Sequence, residues 1–170
     1  MSLPDAEKLL LRLADGMRPQ VGKDTQLVGI HTGGVWLAER LNRMLELARP
    51  IGMIDVSFYR DDYESRGLHA SVKSSQMPLS VDDADVVLVD DVLFTGRTIR
   101  AALNQLFDYG RPRRVRLAAL IDRGGRELPV AAQFVGAELS VRDDEQIDLV
   151  RDEAGRLDLK VVMRDAGDRR

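Results

Sequence analysis

Two adjacent carboxylates, Asp90 and Asp91, followed after a short apolar link by Thr95-Gly96-Arg97-Thr98, are the residues of this chain best suited to chemistry. Carboxylates in such a place hold hydroxyls or a hydrated divalent cation. A small, donor-rich turn that opens a helix holds a phosphate, through its hydroxyls and through N–H groups that no helical carbonyl reaches. One ligand carrying sugar hydroxyls and a phosphate satisfies both halves. The apolar run Val86-Val87-Leu88-Val89 before the pair reads as a parallel strand buried on both faces and ending at the carboxylates. The site then lies at a strand's carboxyl end.

Other strand ends carry polar residues as well. An apolar strand over 26–30 runs into His31-Thr32-Gly33-Gly34, after which Leu37, Leu41, Met44 and Leu45 mark a helix face. Two glycines there either let backbone approach an anion such as pyrophosphate or simply make a tight turn; His31 reads as a polar strand-end residue. The alternation of Ile54, Val56 and Phe58 with Asp55, Ser57 and Tyr59 predicts a strand over 51–59. It leads through Arg60 into residues 64–80, which lack periodicity. This long polar stretch is either a lid, with Arg60 and Lys73 closing over an anion, or a solvated loop. A further strand over 115–121 ends in Asp122-Arg123-Gly124-Gly125-Arg126-Glu127-Leu128-Pro129.

The elements that must position these turns are legible in outline. Leu9, Leu10, Leu13 and Met17 give a helix over 4–17 one apolar face, with Pro4 in its first turn and Leu11 off that face. Ile99, Leu103, Leu106 and Phe107 do the same for the helix after the acidic pair. Arg111, Arg113, Arg114 and Arg116 precede the next strand, at the opposite end of the sheet, and read as a solvated basic surface. A short strand is expected at 133–135, and segments 148–151 and 157–162 form a hairpin around Glu153-Ala154-Gly155. At 170 residues and 44% hydrophobic, the chain suits one domain, taken as residues 1–163 with a flexible tail over 164–170. The absence of cysteine excludes disulfides and thiol chemistry. No long apolar run or signal pattern occurs, which points to a soluble, cytoplasmic protein with no membrane partner. A formal net charge of -3 supplies no overall attraction to nucleic acid.

Four hydrophobic residues, two acidic ones, a short link and Thr-Gly-x-Thr resemble the phosphoribosyl diphosphate (PRPP) signature of type I phosphoribosyltransferases. With His31-Thr32-Gly33-Gly34, Tyr59-Arg60-Asp61-Asp62 and the segment 122–129, the chain over about 9–162 resembles the PyrR family, pyrimidine operon regulators with uracil phosphoribosyltransferase activity. The resemblance implies an α/β fold of the type I phosphoribosyltransferase kind, a mainly parallel sheet flanked by helices with a small hood. It implies conversion of uracil and PRPP to UMP and pyrophosphate with Mg²⁺, a homo-oligomer, and a pyrimidine leader RNA as a regulatory partner. Carried over by position, Asp90, Asp91 and Arg60 are catalytic, and the two aspartates meet Mg²⁺ through water. Thr95, Gly96, Arg97 and Thr98 hold the 5′-phosphate. Thr32, Gly33, Gly34 and Lys73 hold pyrophosphate, and Asp122 and Arg123 frame the base.

Two departures carry consequences. The family's Lys-Thr-Arg-Gly loop is His-Thr-Gly-Gly here, and loss of a two-pronged cation weakens PRPP binding or slows turnover. On the face aligned with RNA binding, Asp15, Ala131 and Ala137 stand where the family has basic residues, while Arg12 and Arg126 are kept, so RNA contact is expected to be weak. The alternative function is a UMP- or PRPP-sensing transcriptional regulator with little catalysis. A response-regulator receiver fails because its acidic pair belongs to the first strand, and no Gly-x-Gly-x-x-Gly supports a dehydrogenase.

Overall fold

The computed structural model describes residues 3–57 and 75–164. The element order is α1 (Ala6–Met17), β1 (Gln26–Ile30), α2 (Gly33–Met44), β2 (Gly52–Ile54), β3 (Asp85–Leu93), α3 (Arg97–Asp108), β4 (Arg114–Asp122), β5 (Phe134–Glu138), β6 (Glu145–Arg151) and β7 (Leu157–Met163). Five strands make one sheet in the order β2-β1-β3-β4-β5, every pair parallel. The antiparallel hairpin β6–β7 stands apart from it.

Alternation along β3 divides the core in two. Val87 and Val89 face the cluster that contains Leu9, Leu10, Leu13 and Met17 of α1, Leu37 and Leu41 of α2, and Ile147, Leu149, Leu157 and Leu159 of the hairpin. Val86 and Leu88 face Ile99, Ala102 and Leu106 of α3 on the other side. The expected parallel sheet flanked by helices is therefore present, with α1 and α2 on one face and α3 on the other. Burial of each large aliphatic side chain contributes about 1.5–3 kcal/mol, so these two layers dominate the fold's stability. Glu7 ties the first layer together. Its carboxylate accepts from Arg40 Nη1 at 2.7 Å and from the Leu157 amide at 2.8 Å, joining α1, α2 and β7.

Several boundaries differ from the sequence expectation. The first helix starts at Ala6, because the Asp5 carboxylate caps the amides of Glu7 and Lys8 and leaves Pro4 outside. Among the described residues of the strand expected over 51–59, Gly52–Ile54 are regular, with Ile54 and Val56 both buried as the alternation required, and 58–59 lie outside the described residues. β3 does not stop at the acidic pair but runs two residues past it to Leu93. Its partner supplies the reason: Asp90 pairs with Ala119, Val92 with Ile121 and Leu93 with Asp122 of β4. The hairpin is longer than expected at both strands, and Phe134–Glu138 replaces the strand expected at 133–135.

The basic residues over 111–116 are not all solvated, and two of them, Arg114 and Arg116, belong to β4. Arg116 is buried, donating to Asp85 Oδ2 at 2.8 Å and to the Gln20 carbonyl at 2.9 Å. Arg114 reaches the same carboxylate at 2.9 Å through two nitrogens, and Thr25 Oγ1 lies 3.0 Å from it. Asp85 thus gathers donors from three residues at the amino-terminal end of the sheet, opposite the site.

Candidate functional site

The strand order reverses direction between β1 and β3, so α2 leaves one face and α3 the other, and a crevice opens between their starts at the carboxyl ends of the strands. The last β1–β3 pair is Gly29 with Val89. Immediately beyond it, the turn after β1 meets the acidic pair on β3. A β-carbon on Gly34 would collide with the Val89 carbonyl oxygen and stand 3.2 Å from Asp90 Cα, and one on Gly33 would stand 2.7 Å from Asp91 Cγ. The two glycines are needed for close approach between the turn and the strand. The same argument holds for Gly29, whose β-carbon would lie 2.6 Å from Val35 Cα.

The two helices that open on this crevice share a feature that α1 lacks. Thr32 at the start of α2 and Gly96 at the start of α3 make no side-chain cap hydrogen bond, whereas Asp5 caps α1. Amides in the first turn of a helix have no intrahelical carbonyl, and a start whose N-cap side chain does not take them can present them to an anion together with the positive end of the helix dipole. Gly96 adopts φ 95°, a left-handed conformation that favours glycine and lets the chain turn sharply from β3 into α3. The Thr95 hydroxyl accepts from the Arg97 amide at 3.3 Å.

Asp90 and Asp91 point to opposite faces of β3, as neighbours on a strand must. Asp90 shares the α3 side with Val86 and Leu88 and is only 4% exposed, its Oδ1 accepting from the Asp91 amide at 3.0 Å. Asp91 shares the α2 side and is half-buried against Gly33, with its Oδ1 accepting from the Val92 amide at 3.0 Å. The carboxylates therefore bracket the crevice rather than stand side by side. Among the described residues no group of three or more acidic, histidine or cysteine side chains converges to cage a metal.

The end of β4 closes the third side. The Arg123 amide donates to the Leu93 carbonyl at 2.9 Å, which places residues 122–129 beside the turn that follows β3. The Arg123 side chain is buried, stacked 3.9 Å from the Phe94 ring centroid, and donates to the Arg142 carbonyl at 3.1 Å. Burial lowers its pKa, and the Arg164 charge adds to that effect. Asp122 accepts from Arg126 Nη2 at 2.6 Å and from the Gly124 amide at 2.9 Å. The segment leading to the hairpin is tied to this end through the Arg142 carbonyl and through the Leu139 amide on the Asp122 carbonyl, while the hairpin itself packs in the core beside α1.

Of the residues singled out by sequence, Thr32, Gly33, Gly34, Asp90, Asp91, Thr95, Gly96, Arg97, Thr98, Asp122 and Arg123 all lie at the carboxyl ends of β1, β3 and β4 or at the helix starts that follow them. Arg60 and Lys73, with residues 64–74 of the expected lid, lie outside the described residues, as do residues 165–170 of the expected tail; in the remainder of that stretch Gln76 bridges Met53 of β2. Phe94, Arg126 and Glu127 were not anticipated as parts of the site. Glu127 Oε2 accepts from Arg97 Nη2 at 2.8 Å and Nε at 3.1 Å, and Arg126 also donates to the Phe94 carbonyl. Their partners lie some thirty residues away in sequence, beyond the reach of any local pattern.

This fold and crevice are those of a phosphoribosyltransferase. The chain belongs to the phosphoribosyl transferase domain family, whose model matches residues 3–150. Within it the chain stands among the PyrR proteins. It is 49% identical over 166 residues to the bifunctional protein PyrR of Pseudomonas aeruginosa, covering 95% of this chain and 98% of that one. The PyrR of Syntrophobacter fumaroxidans is 48% identical over 168 residues, covering 95% and 90%. Solved structures share the fold at lower identity. A hypoxanthine phosphoribosyltransferase of Staphylococcus aureus superposes with a TM-score of 0.65 at 22% identity, over 86% of this chain and 79% of that one. A hypoxanthine-guanine phosphoribosyltransferase of Bacillus anthracis gives 0.64 at 20% identity, over 82% and 83%. No helix among the described residues is long and apolar enough to cross a membrane.

Proposed function

We propose that the protein is a uracil phosphoribosyltransferase that joins uracil to the ribose of PRPP, giving UMP and pyrophosphate, and that it serves in the regulation of pyrimidine synthesis. The observation that carries the reading is the convergence of two helix starts whose first residues, Thr32 and Gly96, make no side-chain cap bond, on either side of the carboxylates Asp90 and Asp91. A ligand with a phosphate at each end and a ribose between them fits that order of groups. In this reading the start of α3, with Thr95, Gly96, Arg97 and Thr98, takes the 5′-phosphate. The start of α2, with Thr32, Gly33 and Gly34, takes the pyrophosphate, joined by Arg60 and Lys73.

Bond exchange occurs at C1′. The uracil N1–C1′ bond forms as the bond to the pyrophosphate oxygen breaks, and the N1 proton is released. Positive charge builds on the ribose as pyrophosphate departs, and fixed carboxylates on both sides of the sugar stabilise it without reorganising. Holding sugar and base in line supplies the rest. The donor set also suits hydrated Mg²⁺, which prefers one or two carboxylates, several waters and substrate phosphates to an all-protein cage. Asp90 and Asp91 would hold it through water, and when bound it neutralises pyrophosphate charge. Because the Arg123 guanidinium is stacked on Phe94 and the Asp122 carboxylate is paired with Arg126, the base edge is read mainly by backbone over 122–125.

A second reading, a UMP- or PRPP-sensing regulator with weak catalysis, is favoured by the glycine at position 33 and opposed on the RNA side by the surface. Asp15 and Ala131 are exposed, and Arg126 spends its donors inside the protein. We assign self-association to the face of α1 around Leu11, which is 56% exposed. Incubation with uracil, PRPP and Mg²⁺ tests the leading reading: UMP and pyrophosphate are expected in equal amounts. UMP binding without UMP synthesis, together with UMP-dependent, salt-sensitive retention of a pyrimidine leader RNA, would overturn it in favour of the regulator.

A further inference from the structure

Between Phe94–Arg97 and residues 122–130 run more connections than the backbone course alone requires. The amides of Glu127 and Leu128 both donate to the Thr95 carbonyl, at 3.0 and 3.1 Å. Arg126 sends one nitrogen to the Phe94 carbonyl and another to both Asp122 oxygens at 2.6 Å. This ion pair is largely buried, the two side chains being 23% and 19% exposed. Glu127 holds Arg97 from the opposite direction at 2.8 Å. A β-carbon on Gly96 would stand 3.3 Å from the Val130 side chain and 3.4 Å from Leu128 Cβ. Arg126 and Glu127 thus point to opposite ends of the same turn, one gripping the residue before Thr95 and one a residue after it.

Resting on the phosphoribosyl reading above, we infer that Arg126 and Glu127 are positioning residues that brace the base-framing segment against the 5′-phosphate turn, so that base and phosphate are bound as one unit. Neither side chain touches the reacting atoms. Their effect is on relative placement. Without the brace each half of the ligand keeps its own contacts, but the two halves no longer find their partners at the right separation. A planar guanidinium with donors in a fixed fork can span a carboxylate and a carbonyl together, which a lysine ammonium cannot do with the same geometry.

The test compares UMP with its two halves, uridine and ribose 5-phosphate, by calorimetry on the wild type, Arg126→Lys and Glu127→Gln. The brace predicts half-ligand affinities within about 1.5-fold of wild type, with UMP affinity falling about tenfold in Arg126→Lys and about fivefold in Glu127→Gln, whose pair is exposed. A UMP loss no larger than the product of the two half-ligand losses overturns it. Amide exchange of the ligand-free proteins gives an independent readout, since Glu127 and Leu128 should lose protection in both variants while the α1 amides keep theirs. Unchanged exchange at Glu127 and Leu128 overturns the brace whatever the ligands do. If the wild type binds none of the three ligands, the phosphoribosyl reading fails, and the exchange result still decides whether the two segments are braced.

Discussion

Gly33 and Asp91 meet across the crevice: a β-carbon at position 33 would stand 2.7 Å from the Asp91 carboxyl carbon. Any side chain there must displace the carboxylate. Gly33→Ala is therefore expected to lower UMP formation by up to about a hundredfold, as a displacement of order 1 Å at a reacting centre does. The melting temperature should also fall, because the new methyl overpacks against the Asp91 side chain, a cost of about 1–3 kcal/mol that exceeds alanine's advantage over glycine in the first turn of α2. Full activity in Gly33→Ala would mean that Asp91 is not held by this contact.

Asp90→Asn and Asp91→Asn each remove one of the two bracketing charges while keeping shape. Each is expected to reduce turnover by about 10²–10³, the range seen when one preorganised electrostatic group is lost. Circular dichroism should show an intact fold. Unchanged uracil-dependent kinetics in both variants would take the pair out of the chemistry.

The chain has one tryptophan, and Trp36 sits one turn into α2, its amide donating to the Thr32 carbonyl at 3.4 Å. Its ring lies 4.6 Å from the Arg151 guanidinium of the hairpin. Pyrophosphate bound at the start of α2 changes the field at this ring, so emission should respond saturably to pyrophosphate and not to uracil alone. Silent fluorescence during calorimetrically observed pyrophosphate binding would place the anion elsewhere.

Stability should fall on acidification. Burial pushes the Asp85 pKa up, but the hydrogen bonds from Arg114 and Thr25 and the charge of Arg116 outweigh it, so it lies below the ordinary range. Glu7 is also lowered, chiefly by its hydrogen bond from Arg40, with burial opposing and the Leu157 amide assisting. A depressed carboxylate contributes its full stabilisation above its unfolded pKa, about 4, and loses it as pH drops through the folded value. The melting temperature is thus expected to hold steady above about pH 5 and fall below pH 4. Asp85→Ala leaves Arg116 buried without its carboxylate, at a cost of about 3–5 kcal/mol. It should also flatten the acid limb, and an acid limb identical to wild type would remove Asp85 from its cause.

Short-range pattern carried much of the architecture. The spacing of Leu9, Leu10, Leu13 and Met17 was enough to define the buried face of α1, because helical period and apolar burial are properties of neighbours in sequence. Val86-Val87-Leu88-Val89 declared a strand buried on both sides, and Thr95-Gly96-Arg97-Thr98 a helix start, for the same reason. What those patterns leave open is the partner. β3 continues past Asp90 and Asp91 because β4 lies beside it in register and satisfies its backbone groups, which sets the two carboxylates on opposite faces. Arg116 reads like its solvated neighbours until Asp85 and Gln20 are brought to it from other elements. The two glycines after His31 stop being an ordinary tight turn only when β3 is packed against them. Pairing register and side-chain contact are long-range quantities, and Gly33 against Asp91, like Arg126 across Asp122 and Phe94, exists only once the sheet has ordered its strands.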